Sequence, residues 1–214
     1  MSLWNHFQQN TGKTIHKWHH YFPIYERYFS NFRNKKVTFI EIGVSKGGSL
    51  QMFSNYLGPL ATVIGIDINK SCKQFESEYV HVRIGDQSDP NFLESVLNEF
   101  GAPDLVLDDG SHLMHNVKDS FEFIYPRLSK NGIYMVEDTH TSYWEKYGGG
   151  YLQKDSFIEY SKNLIDQLNF QHVKEKIPSP QFIRDTNNIS FYDSIVVFEK
   201  GTISPKVSSK TGTT

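Results

Sequence analysis

One pattern recurs along this chain and limits what it can fold into: a short, nearly continuous apolar run that ends in glycine or in acids. Val37-Thr-Phe-Ile-Glu-Ile42 leads into Gly43, Ala61-Thr-Val-Ile-Gly-Ile66 into Asp67, Tyr79-Val-His-Val-Arg-Ile84 into Gly85-Asp86, and Leu105-Val-Leu into Asp108-Asp109. Gly132-Ile-Tyr-Met-Val136 ends in the same way, in Glu137-Asp138. Runs this short and this apolar suit strands covered on both faces, the habit of parallel sheets. Helical patterns lie between them: Leu50, Phe53 and Leu57; Phe92 to Phe100; and Val117, Phe121, Ile124 and Leu128, with Pro126 expected to kink or end the last. Strand and helix therefore alternate, and βαβ units building a mostly parallel α/β sheet are the economical reading.

The two ends of the chain read differently. Tyr21, Ile24, Tyr25, Tyr28 and Phe32 predict an aromatic helix over about residues 17–33, with Pro23 near its start. For Lys17, Trp18, His20, Tyr21 and Tyr25 the expectation is packing of that helix onto the sheet. Phe157 to Leu168 has helical periodicity, and two β-rich runs between Ile189 and Glu199, broken at Asp193-Ser194, predict an antiparallel strand or pair near the carboxyl end. Residues 201–214 are mainly Ser, Thr and Lys and predict a disordered tail, which leaves 1–200 as a single domain.

A net charge of -2, with Lys and Arg scattered, gives no electrostatic footprint for nucleic acid or an anionic membrane, so the expected partner is small. The lone Cys72 rules out an intramolecular disulfide and a cysteine zinc cage. No apolar run approaches a membrane span, and Met-Ser-Leu-Trp-Asn-His at the start is not a leader, so a cytoplasmic protein is expected.

Open α/β sheets bind ligands beyond the carboxyl ends of their strands. Asp108, Asp109, Glu137 and Asp138, with His112 close behind the first pair, would surround one such crevice as a candidate metal site with a base. Either acid pair alone could as well cap a helix or sit in solvent. The coincidence of both with His112 favours the metal, whereas His115 and His140 are expected to satisfy backbone carbonyls. Neighbours on an ideal strand face opposite ways, so Glu137 and Asp138 can share an ion only if the strand stops there.

Gly43, Gly47 and Gly48 do not fit the G-x-G-x-x-G dinucleotide spacing, and no Walker lysine pattern exists, which disfavours NAD and ATP. Glu41-Ile-Gly43-Val-Ser45-Lys-Gly47-Gly48-Ser49 instead resembles the first motif of class I methyltransferases that use S-adenosylmethionine. The resemblance implies a Rossmann-like class I methyltransferase fold. It implies Glu41, Gly43, Ser45 and Ser49 at the amino-acid end and ribose of the cofactor, Asp67 on the ribose hydroxyls, and Asp86 and Gln87 at the adenine. Asp108 is then expected to face the cofactor and Asp109 the acceptor. A carboxylate can accept from a vicinal diol or an exocyclic amine, so the chemistry is consistent.

Asp108-Asp109-Gly-Ser-His112 and Glu137-Asp138-Thr-His-Thr-Ser-Tyr143-Trp144 further resemble the magnesium-dependent macrolide sugar O-methyltransferases of the mycinamicin type and their cephalosporin 7-methoxylation relatives. That resemblance implies Asp109, Glu137 and Asp138 as ligands of magnesium, with manganese as an alternative, and His112 as general base. Tyr143 and Trp144 become candidate substrate contacts beside a glycine-rich loop, since flat aromatic faces suit sugar rings. The expected reaction is O-methylation of a sugar or glycosylated small molecule, with homo-oligomerisation left open. Metal-independent methylation of another acceptor and a non-catalytic cofactor-binding module are the alternatives; a nucleotide-sugar or NAD enzyme is more remote.

Overall fold

The computed structural model describes residues 1–175, 181–201 and 207–212, with the side chains of Gln181 and Ile183 outside that description. Seven strands form one sheet: β1 (Val37–Ile42), β2 (Ala61–Asp67), β3 (Val80–Ile84), β4 (Leu105–Asp108), β5 (Ile133–Val136), β6 (Thr186–Tyr192) and β7 (Ile195–Lys200), in the order β3-β2-β1-β4-β5-β7-β6. The first five are parallel, and the β6–β7 hairpin closes the sheet by laying β7 antiparallel on β5. The alternating reading and the antiparallel ending both hold. The hairpin turns at Asp193-Ser194, where Ser194 takes a positive φ.

Helices cover both faces. On one lie α1 (Leu3–Gln8), α2 (Phe22–Phe29) and α3 (Gly48–Leu57), and on the other α4 (Pro90–Phe100), α5 (Met114–Ile124) and α6 (Phe157–Leu168). A five-residue helix, α7 (Gln181–Asp185), leads into β6. Strand pleating sorts the core: Val37 and Phe39 of β1 join one apolar cluster, with Phe29 and Phe53, while Ile40 and Ile42 join the other, with Phe121 and Tyr134. Burying a side chain such as Phe39 contributes roughly 1.5–3 kcal/mol.

The aromatic helix is shorter than 17–33: α2 proper covers Phe22–Phe29 between two single 3-10 turns, with Pro23 in its first turn and Trp18 extended before it. α5 stops at Ile124, and Pro126 sits in the 3-10 turn that follows. α1 was not legible as a helix; it is short, capped by the Ser2 hydroxyl, and tied to α2 by the Leu3 amide donating to Glu26. Of the expected tail, 202–206 and 213–214 lie outside the described residues; Gly201 is buried and donates to the Asp185 carbonyl, and 207–212 carry no helix or strand. Among the described residues no helix is long and apolar enough to cross a membrane.

Candidate active site

The strand order reverses at β1, with β2 on one side and β4 on the other, so the crevice opens between the carboxyl ends of β1 and β4. A cleft of about 360 Å³ lies there, running from Asp67 and Asp86 past Gly43 to His112 and Asp138. Gly43 adopts φ +96°, and a Cβ on it would collide with the carbonyl oxygen of Asp109. The glycine lets the turn after β1 and the acid loop after β4 touch through bare backbone.

On the cofactor side, Asp67 Oδ2 accepts from the amides of Val44 and Ser45 at 2.9 and 3.0 Å, and Oδ1 from Asn69 at 2.8 Å. It therefore shapes the glycine turn while lining the cleft. Asp86 Oδ1 accepts from the Ser88 amide and hydroxyl, which hold its carboxyl below the usual range. Gln87 lines the cleft but is committed within the protein: Oε1 accepts from the Ser111 amide at 2.8 Å, and Nε2 donates to Asp108 and Ser120. Asp108 likewise turns away from the expected cofactor face. It is buried and accepts from Ser120 and Tyr134 at 2.6 and 2.7 Å.

Pleat and register explain the acids. Asp108 pairs with Val136, so Asp109 and Glu137 lie level one residue further on, and alternation puts both on the α1–α3 face with Glu41 of β1. Into that face comes Lys17. Its ammonium donates to Asp109 Oδ2 at 2.6 Å and Glu137 Oε2 at 2.7 Å, stands 3.9 Å from Glu41, and its side chain is 3 % exposed. Burial opposes the charge on Lys17, but Asp109, Glu137 and Glu41 outweigh it and raise its pKa. Tyr25 donates to Glu137 Oε1 at 2.5 Å and Tyr21 to Asp138 Oδ1 at 2.6 Å. Burial raises the Glu137 carboxyl against the pull of Lys17, and raises Glu41 to about 7 against Lys17 and the Ser49 hydroxyl. Among the described residues neither oxygen of Glu41 has a hydrogen-bond partner of ordinary geometry.

β5 ends at Val136, and Asp138 takes a left-handed conformation, φ +52°, which swings its carboxylate back toward Asp109. His112 does the same at φ +58°. Its Nε2 reaches within 3.8 Å of Asp109 Oδ1 and 3.7 Å of Asp138 Oδ2, and ligand atoms of these three residues lie within 4.8 Å of one another. The spacing suits a small divalent ion, and two carboxylates with room for waters suit magnesium, which prefers oxygen. Glu137, the third expected ligand, is set behind them, each oxygen already accepting from Lys17 or Tyr25. Lys17, Tyr21 and Tyr25 were expected by default to pack; for Tyr21 and Tyr25 the four-residue spacing of two hydroxyl tips was the available signal, whereas Lys17 lies in non-helical chain before them.

Beyond Asp138, 4.0 Å from its carboxylate, stands His140; Trp18 and Trp144, which contact it, are about half exposed, as is Tyr143. Trp18 and Trp144 both stand steeply against His140, at 6.2 and 4.8 Å between ring centroids. His140 Nδ1 contacts the Ser194 hydroxyl at 3.0 Å rather than a backbone carbonyl.

Residues 40–139 match a family described as a methyltransferase domain. Over most of its length the chain superposes on the MycE methyltransferase from the mycinamycin biosynthetic pathway, solved with Mg and SAH, at a TM-score of 0.87 and 28 % identity, covering 94 % of this chain and 55 % of that one. The chain has the fold of the class I methyltransferases. In sequence it resembles the sugar O-methyltransferases. It is 34 % identical to the 8-demethyl-8-alpha-L-rhamnosyl tetracenomycin-C 2'-O-methyltransferase of Streptomyces olivaceus over 86 % of this chain and 51 % of the relative. It is 31 % identical to the mycinamicin VI 2''-O-methyltransferase of Micromonospora griseorubida over 86 % of this chain and 48 % of that protein. The chain thus spans about half the length of these curated relatives.

Proposed function

We propose that this chain catalyses S-adenosylmethionine-dependent methylation of a hydroxyl on a sugar or glycosylated small molecule, assisted by a divalent ion, magnesium or manganese. One observation carries the reading: Asp109, His112 and Asp138 converge at one end of the cleft whose other end is lined by Gly43, Asp67 and Asp86. When bound, S-adenosylmethionine supplies a methyl group on a sulfonium centre; a divalent ion supplies positive charge that lowers the pKa of a hydroxyl.

The residues divide the work. Asp67 would take the ribose hydroxyls and Asp86 the adenine end, with Gly43 and Ser45 at the glycine turn; Glu41 is fully buried beside Lys17 and Ser49 lies off the cleft lining, while Gln87 and Asp108 act by bracing the loop that carries Ser111 and His112. Asp109 and Asp138 would hold the ion. His112 Nε2, between them, removes the proton of the acceptor hydroxyl as the oxygen attacks the methyl carbon, a role worth roughly a hundredfold or more. Trp144 and Trp18, set steeply on either side of His140, would offer the acceptor ring exposed indole faces, with Tyr143 as a further aromatic next in sequence to Trp144.

Calorimetry with S-adenosylmethionine, followed by methyl-transfer assays on simple glycosides with and without chelator, tests the reading. Cofactor binding with metal-dependent transfer supports it. Binding of NADH instead would overturn the cofactor; full transfer in chelator, with metal absence verified, would overturn the metal role. Cofactor binding with no transfer to any hydroxyl acceptor would favour a binding module.

A further inference from the structure

The turn of the β6–β7 hairpin reaches back to the chain just after β5 and holds His140 in one orientation. The Thr139 amide donates to the Ser194 carbonyl at 3.0 Å, and on the other side of the turn His20 Nε2 contacts the Asp193 carbonyl at 3.3 Å. Ser194, at φ +62°, thereby sets its hydroxyl 3.0 Å from His140 Nδ1. That hydroxyl spends its own proton elsewhere, donating to Asp193 Oδ1 at 3.1 Å. Nδ1 also faces Asp138 Oδ1, at 4.0 Å, an oxygen that already accepts from Tyr21. Both oxygens before Nδ1 can only accept, so Nδ1 is the donor. A neutral imidazole carries one ring proton; with that proton on Nδ1, the lone pair is on Nε2.

Nothing in the protein claims that lone pair. Among the described residues Nε2 has no hydrogen-bond partner, and it is not closed off from water, the side chain being 24 % exposed. The half-exposed indoles of Trp18 and Trp144 stand at 83° and 68° to the imidazole, so one polar atom is set beside two apolar faces. His140 lies on the Oδ1 side of the Asp138 carboxylate and His112 on the Oδ2 side. An acceptor whose reacting hydroxyl is at His112 therefore brings a different group to His140.

We infer that His140 Nε2 is a specificity-determining hydrogen-bond acceptor, which takes a donor hydroxyl of the acceptor sugar other than those at the ion, and that Ser194 and Asp193 are the positioning pair that keeps the ring proton on Nδ1. The inference rests on the sugar-hydroxyl reading of the proposed function and deepens it by naming the substrate class: a glycoside with a further free hydroxyl on the side of the ring away from His112. The fixed tautomer gives the selection its sign. A ring able to exchange its proton between nitrogens would take a hydroxyl or an ether oxygen equally, since Nε2–H could donate to either. A lone pair held on Nε2 accepts from a hydroxyl and refuses an ether, because two lone pairs then face each other. This chain accordingly acts on its acceptor before that second hydroxyl is capped, and a reaction that methylates or glycosylates it must come later.

Long-range ¹H–¹⁵N correlation spectra of the ¹⁵N-labelled protein report the tautomer without turnover. At about pH 8.5, roughly two units above an ordinary imidazole, the His140 signals, assigned by their loss in His140→Gln, should show the proton on Nδ1. Ser194→Ala should move the pattern toward Nε2–H; should that variant fail to fold, Asp193→Asn serves in its place. Methyl transfer to a panel of methyl glycosides and their monodeoxy and mono-O-methyl derivatives then tests recognition. The wild type should lose about tenfold in kcat/KM when one hydroxyl other than the methylated one is removed or capped. His140→Asn, whose amide still reaches Ser194 but not the place of Nε2, should raise KM roughly five- to tenfold and lose that discrimination. His140→Gln, whose longer side chain brings an amide oxygen near the place of Nε2, should recover most of both. A merely structural role predicts the reverse order, with Asn rescuing and Gln failing. A proton on Nε2 in the wild type would overturn the inference, as would a His140→Asn protein with the KM and the discrimination of the wild type. Transfer to no member of the panel would instead overturn the sugar-hydroxyl reading itself, and the recognition role with it, whatever the tautomer.

Discussion

Two pairs of adjacent acids end neighbouring strands, and in each pair the members have opposite fates. Asp108 and Glu137 are buried and bonded within the protein, to Ser120, Tyr134 and Gln87 in one case and to Lys17 and Tyr25 in the other. Asp109 and Asp138 border the cleft beside His112. The difference is made by the backbone: pleating separates Asp108 from Asp109, whereas a left-handed residue at 138 turns Asp138 back to the side of Asp109. In each pair, then, one acid is enclosed by the protein and one borders the cleft, and residue type does not say which is which.

That contrast can be broken most forcefully on its open side. His112→Ala should slow single-turnover methyl transfer by roughly a hundredfold or more with cofactor affinity nearly unchanged. An equal loss of cofactor binding would show that the cleft is not divided as described. On the closed side Asp108→Ala should act on stability instead. It strands Ser120, Tyr134 and Gln87 in a buried setting, at a cost of about 2–4 kcal/mol in urea unfolding. If Asp108→Ala unfolds like the wild type, the closed side is not structural.

Smaller effects sharpen the comparison. Asp67→Ala should weaken S-adenosylmethionine binding by about 1–3 kcal/mol by calorimetry, since it removes charged hydrogen bonds and releases the Val44 and Ser45 amides. Glu41 tests the closed side by pH. Its carboxyl is raised by burial from 4.5 to about 7, so the fold holds a proton that the unfolded chain releases as pH rises from about 4.5. Stability should therefore fall across that window and level off above about 7, by on the order of 3 kcal/mol. Glu41→Gln should flatten this slope in urea unfolding curves taken across the window, leaving the part that belongs to Glu137, whose carboxyl burial also raises; an unchanged slope would remove Glu41 from the effect. Trp144→Ala should raise KM for a glycoside several-fold and leave kcat alone, and an unchanged KM would remove the indole from the acceptor contact.

Much of the architecture was legible because it rests on local signals. β1, β4 and β5 are apolar almost throughout since both faces are covered, and Asp193-Ser194 marks the hairpin turn. The acids and His112 could be placed at the strand ends from order alone. Direction was harder. That Asp108 faces α5 follows from counting the pleat through Leu105 and Leu107, but that Asp138 turns back depends on one φ angle no residue type dictates. Gln87 could be put near the cleft, but its commitment to Ser111 and Asp108 is a contact between loops after different strands. Lys17 was the least legible: it meets Asp109 and Glu137 across 92 and 120 residues of chain, and nothing in its own neighbourhood announces them.

The close approach at Gly43 has a mechanical consequence. Because a side chain there would strike the carbonyl of Asp109, the turn that would meet the cofactor and the loop that carries His112 rest against each other with no compressible atoms between them. A displacement of one is passed to the other at full amplitude, as between two gears in mesh. Gly43→Ala should accordingly be felt at the acids, as a changed Mn²⁺ affinity, as well as at the cofactor turn where the methyl group was added.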